Sequence, residues 1–232
     1  VIEKPSSLLQ WALLKDKRSI VYDVKDIFTS ETDSSEVIWK EGQVRFTHLK
    51  DSTAGAISFL QYQVEALDNA GESLGLTDTF WLWQDPTQAQ KIYVKGQGAP
   101  SMPRFLALKR SDAAEREDVS FLEGRVDTLD FPFFSVLNAT WTNNLGSFQE
   151  QNKALLQDTT YSWNGKQYRV WQVERTLLHQ DRALSKAHLL YGAEGLMSLE
   201  QVWSGVRQRD ENGILLASGS LKREYRLQYI GD

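Results

Sequence analysis

Residues 221–229 run Leu221-Lys222-Arg223-Glu224-Tyr225-Arg226-Leu227-Gln228-Tyr229. Leu221, Tyr225, Leu227 and Tyr229 fall on one parity, interrupted by Arg223; Lys222, Glu224, Arg226 and Gln228 fall on the other. Successive side chains of an extended chain point to opposite faces, so the pattern predicts a long strand with one buried and one wet face. Such a strand closes or borders a sheet. Arg223 then has two readings. If the apolar face lines a cavity, it meets an anionic ligand head or a buried acid; if the strand end lies open, it is a surface arginine.

The same period recurs upstream. Leu60, Tyr62, Val64 and Ala66 alternate with Gln61, Gln63 and Glu65, and residues 68–71 supply turn chemistry. Residues 74–84 follow as a strand, with Phe80 and Leu82 on one face and Trp81 and Trp83 on the other. Residues 91–95 return after a break at 85–88, which makes a meander. Residues 19–24 read as a strand, and 36–40 with 43–49 as a hairpin turning at Glu41-Gly42. Further strands are expected at 119–126 and 133–141.

Asn164-Gly165 is the clearest turn. It separates 161–163 from 168–177, and a type I′ hairpin needs positive φ at both central residues. Residues 187–191, 196–208 and 214–229 complete the series, with Gly205 and Gly219 read as bulges or bends. Two capping boxes, Ser7 with Gln10 and Ser147 with Glu150, predict short helices, the second to about residue 157. The charged run 104–118 is a helix or an excursion.

The expected fold is therefore mainly β: an antiparallel up-and-down meander forming a barrel or sandwich, with two or three short helices. A single domain over 1–232 is expected, with any sub-lobe boundary inside 97–118. This architecture resembles lipocalins and lipoprotein carriers, which implies a ligand cavity within the sheet. The Gly-x-Trp that opens many lipocalins has no counterpart, since Trp11 follows Leu9-Gln10.

Composition narrows the classes. The 232 residues are 41% hydrophobic and 25% charged, an ordinary globular balance rather than a disordered one. A net charge of −5 with no basic run argues against a nucleic-acid partner. With no cysteine, disulfides, thiolate metal sites and a cysteine nucleophile are excluded. No apolar run approaches the ~20 residues that span a bilayer as a helix. The start at Val1 rather than Met reads as following a removed leader or a trimmed start, and a periplasmic or otherwise extracytoplasmic location is expected.

Catalytic signatures are sparse. Ser218-Gly219-Ser220 lies inside a strand and lacks the nucleophile-elbow pattern. His48, His179 and His188 form no metal-binding spacing, so no metal and no cofactor are expected. Gly96-Gln97-Gly98 follows a strand but lacks the third glycine of a dinucleotide loop. Asp127 and Asp130 could pair as glycosidase-type carboxylates, but flanking a turn before a strand is the simpler account. Asn138-Ala139-Thr140 matches a glycosylation acceptor within an expected strand.

The aromatics are the remaining lead. Trp81, Trp83, Trp171, Trp203, Arg223, Tyr225 and Tyr229 are the candidate ligand-binding residues, because tryptophan and tyrosine give rigid apolar walls with a polar tip. The competing account is that strands favour large aromatics as core. The expected function is noncatalytic binding of a small apolar or amphipathic ligand in a β cavity. An interaction or envelope assembly module with a protein partner, and an isomerase, cyclase or lyase acting in the cavity, are the alternatives.

Overall fold

A computed structural model describes residues 19–54, 57–84, 91–96, 126–130, 138–145, 148–192, 195–209 and 212–231. Its strands are β1 (Ser19–Ser30), β2 (Glu36–Ala54), β3 (Ile57–Leu67), β4 (Ser73–Gln84), β5 (Lys91–Gly96), β6 (Val126–Asp130), β7 (Thr140–Leu145), β8 (Phe148–Trp163), β9 (Lys166–His179), β10 (Arg182–Gly192), β11 (Gly195–Arg209) and β12 (Leu215–Gly231). All twelve join one antiparallel sheet in the order β6-β5-β4-β3-β2-β1-β12-β11-β10-β9-β8-β7. Each strand pairs with its sequence neighbour except β6 with β7. The first and last strands pair with each other at the centre, and β6 and β7 form the two ends.

β12 therefore does not border the sheet; it lies between β1 and β11. Its alternation is as expected, since Arg223, Tyr225 and Leu227 are buried and Arg226 and Gln228 exposed. Lys222 and Glu224 sit on the wet side in an ion-pair chain with Glu200 and Arg226.

Among the described residues there is no helix. The capping box at Ser7 and the run 104–118, with the sub-lobe boundary, lie outside the described residues. The second capping box is overturned: Phe148 opens β8, a sixteen-residue strand. Phe148, Glu150, Asn152 and Ala154 are buried, while Gln151 and Lys153 are exposed. The period is two after all, but the inward positions carry Glu and Asn, so no apolar stripe announces it.

The expected hairpin at Glu41-Gly42 is likewise absent, because β2 runs through it without a break. A Cβ on Gly42 would meet the Leu67 carbonyl oxygen at 2.8 Å, so this glycine permits close backbone approach rather than a turn. Gly205 is the expected bulge, with φ +67° where the β11–β12 register shifts. Gly219 is not one. It pairs regularly with Ser30, and a side chain there would strike the Thr29 carbonyl and the Phe28 ring. Asn164 (φ 49°) and Gly165 (φ 73°) make the expected reversal.

Two smaller placements also differ. Asp127 and Asp130 lie within β6, opposite Val94 and Lys91, rather than before a strand. Asn138 precedes β7 in a turn with φ 62°, its N–H donating to the Ala154 carbonyl at 3.0 Å.

The inward faces of both wings meet in one apolar cluster. Ile20, Tyr22 and Val24 of β1 join Val44, Val64 and Ala66 on one side and Val173, Leu189, Leu199, Tyr225 and Leu227 on the other. Tyr22 anchors it, edge-on to Phe46 and Tyr225, with its hydroxyl donating to the Leu196 carbonyl at 2.9 Å. Burial of each such side chain stabilises by about 1.5–3 kcal/mol, so this cluster dominates the apolar driving force.

Candidate functional site

Direct partners in an antiparallel ladder share a face. Following them across the sheet gives one line: Asp26 on β1, Arg223 on β12, Gln201 on β11, Ala187 on β10, Arg175 on β9 and Asn152 on β8. Trp141 on β7 ends it. The adjacent line is apolar apart from one hydroxyl: Val24, Tyr225, Leu199, Leu189, Val173 and Ala154. On the far side Ser185, Glu150 and Asn143 stand among Phe28, Leu221, Trp203 and Leu177. The inward face thus changes from apolar to polar within one strand-residue pair.

The polar line is organised as two neutralised pairs. Arg223 Nε donates to Asp26 Oδ1 at 2.7 Å and Nη2 to Oδ2 at 2.7 Å, a two-pronged contact between residues that are 5% and 4% exposed. Burial works to lower the Arg223 pKa, but Tyr225 and the Asp26 carboxylate outweigh it and hold the guanidinium above its usual range. Tyr225 is pushed up to about 12, by burial first, with Asp26 adding to the rise and Arg223 opposing it. Its hydroxyl is buried and makes no hydrogen bond among the described residues.

The second pair lies four strands away. Arg175 Nη1 stands 3.5 Å from Glu150 Oε1, and its Nε donates to Asn152 Oδ1 at 3.1 Å. Asn143 donates to Glu150 Oε2 at 3.5 Å, so the 2%-exposed carboxylate is held on both oxygens. Burial works to lower the Arg175 pKa; Glu150 and Tyr191 outweigh it and raise it. Between the pairs Gln201 donates to Ser185 Oγ at 2.8 Å. Among the described residues no group of three His, Asp or Glu is poised to hold a metal.

The candidate residues separate. Arg223 meets a buried acid, so the surface-arginine reading falls. Tyr225 lies beside it, fully buried, and Trp203 is half-buried opposite Leu221 and Ser185. Trp171, opposite Tyr191, packs against the apolar cluster on the same face. Tyr229 leaves that face. The β1–β12 register slips between Val21 and Tyr22, so Tyr229 stands opposite Val21 at 58% exposure and Ile230 takes the inward place. The ladder sets Trp81 opposite Gln61 and Trp83 opposite Phe59; their side chains lie outside the described residues.

Asp26, Glu150, Asn152, Arg175, Gln201 and Ser185 escaped the sequence reading. The signal for Asp26, Arg175 and Gln201 is a single polar residue at an inward position of an otherwise apolar face, as Asp26 is within Ile20-Tyr22-Val24-Asp26-Phe28. Glu150 and Asn152 occupy consecutive inward positions of β8 and carry no such signal. That the six fall in one region depends on register.

Fold and site together define an antiparallel β-meander protein with an amphipathic inward face. No family model and no curated protein matches the chain. Among solved structures it is similar to a Parabacteroides distasonis protein provisionally described as a lipoprotein (TM-score 0.44, 9% identity, covering 95% of this chain and 98% of that one). It is also similar to a Bacteroides fragilis protein with a YmcC-like fold, provisionally described as exported (0.37, 9%, 94% and 99%). A LolA superfamily protein from Nitrosomonas europaea follows (0.22, 7%, 95% and 88%). Among the described residues no helix is long and apolar enough to cross a membrane.

Proposed function

We propose that this chain is a noncatalytic binding protein that holds a small amphipathic ligand against the inward face of the sheet. The observation that supports it is the step from the Val24–Ala154 line, apolar but for the Tyr225 hydroxyl, to the Asp26–Asn152 line, which is mostly polar. Seven buried polar side chains lie in this one region, each desolvated at a cost that its hydrogen bonds only offset. An amphipathic guest gives them a purpose, with its tail on the apolar lines and its head on the polar one. In this proposal the sheet curls into an incomplete barrel with its seam between β6 and β7, and the 232 residues fold as one domain.

Native mass spectrometry of the purified full chain tests the reading. Recovery of a stoichiometric apolar or amphipathic molecule is expected, with saturable uptake of a monoacyl amphiphile after its removal. A chain that carries nothing and takes up nothing sinks the proposal. Its location outside the cytoplasm belongs to the same proposal, as the exported-protein description above has it for that neighbour. Recovery of the native chain from cytosol alone would remove that part.

A second reading has its own observation. Ile214, Leu215 and Leu216 at the start of β12 and Val37 and Ile38 of β2 are at least half exposed, on the neighbouring β11–β12 and β1–β2 hairpins. Such tips suit an assembly module. A stable protein partner in pull-down that is lost on changing Leu216 to Ser, with no ligand bound, would favour it.

A further inference from the structure

We propose that the head group of the ligand is uncharged and hydroxylated, seated against Tyr225 and Gln201, rather than a carboxylate or phosphate. This rests on the binding reading above and specifies the chemistry of that same site. The first ground is charge. The polar line and the row beyond it hold two arginines and two buried acids, and each arginine already faces its acid: Arg223 with Asp26 at 2.7 Å, Arg175 with Glu150 at 3.5 Å. His48, also buried on this face, is hydrogen-bonded to Asp51 at 2.7 Å. An anionic head would bring a third negative charge beside Asp26 and Glu150. To gain a cation it would have to share an arginine with the acid already paired to it, which sets two negative charges side by side in a low-dielectric interior. A cationic head would face the two arginines with the same difficulty.

The second ground is the hydrogen-bonding complement. Tyr225 is 0% exposed, and its hydroxyl, capable of donating and accepting, has no partner among the described residues. Leaving such a group unmade is costly, and a ligand atom that pairs with it recovers the loss. Gln201 stands diagonal to it on β11 with an amide that both donates and accepts. A carboxylate only accepts, whereas a hydroxyl does both and so complements a phenol beside an amide. The raised Tyr225 pKa keeps the phenol protonated, so the donor is present throughout the physiological range.

The test compares three amphiphiles with the same tail on the delipidated full chain: monolauroylglycerol, laurate and dodecylammonium, followed by tryptophan fluorescence and calorimetry. Monolauroylglycerol is expected to bind at least about tenfold more tightly than either charged probe. Tyr225→Phe should weaken it by about three- to tenfold while leaving the unfolding midpoint nearly unchanged. Laurate or dodecylammonium binding as tightly as the glycerol ester overturns the uncharged head while the binding reading stands. Equal binding of the ester by wild type and Tyr225→Phe removes Tyr225 from the site and overturns the placement. Failure of all three probes to bind overturns both.

Discussion

Adjacent residues on β12 show how burial decides the worth of a charge. Lys222 reaches Glu200 at 3.2 Å and Glu224 at 2.8 Å on the wet face, where ion pairs contribute about 0–1 kcal/mol. Arg223, one position on, is buried against Asp26. Lys222→Ala should therefore change stability by less than about 1 kcal/mol in urea titration. Arg223→Met alone should cost about 3–5 kcal/mol, because it strands the Asp26 carboxylate. The double change Asp26→Leu with Arg223→Met should restore most of that loss; a double variant as unstable as the single one would refute the pair as the cause. The same burial holds tyrosine protons. Burial raises Tyr22, Tyr62, Tyr191 and Tyr225 above the usual value of 10.0, the last to about 12. Above pH 10 the unfolded chain releases these protons while the native chain keeps them, so it binds fewer and stability falls as pH rises. This contribution is whole below about pH 10 and is lost through the folded values. Ultraviolet titration should show these four of the eight tyrosines ionising only as the protein unfolds. Early ionisation of all eight would contradict the packing.

At the scale of the strand, legibility followed the chemistry of the inward face. β3 was readable because Leu60, Tyr62, Val64 and Ala66 are apolar and buried. β8 was not, because Glu150 and Asn152 fill equivalent places and their outward neighbours are polar too. A capping-box pattern was then the strongest local signal, and ladders on both sides overrode it. β2 was split in the reading because a glycine in a strand looks like a turn from its neighbours alone. Only the approach of the Leu67 carbonyl shows why Gly42 is there. Gly219 makes the same point and can be tested. Gly219→Ala would drive a methyl into the β1 backbone and the Phe28 ring, so it should destabilise by at least about 1–3 kcal/mol. Gly213→Ala tests the contrast: nothing lies within 4 Å of its Cβ position, so only its positive φ is penalised, by about 1 kcal/mol. Equal losses at the two sites would show that close approach is not what Gly219 serves.

For the whole molecule, the decisive contact is between the ends of the chain. β1 and β12 pair along their length, as Ile20 opposite Ile230 and Ser30 opposite Gly219 show, so the centre of the sheet forms from its most distant segments. Non-local pairing carries a large loop-closure cost, and stopped-flow refolding should be slow, on the order of seconds or longer. Both wings depend on that seam. Unfolding followed by fluorescence and circular dichroism should coincide in one transition, and removal of residues 215–232 should abolish folding of both wings. Separate transitions, or a folded remnant after that truncation, would argue against one domain. The sequence by itself determined the period-two grammar, the antiparallel meander and the Asn164-Gly165 reversal, because these depend on side-chain alternation and backbone preference within a few residues. It also marked Arg223 as the odd charge on an apolar face. Tertiary structure alone decided that Asp26 answers it from 197 residues away, that Glu150 and Arg175 form a second pair on the same face, and that a register slip turns Tyr229 outward. Those outcomes depend on which strands pair and in what register, and that is settled by the free energy of the whole sheet rather than by any one strand.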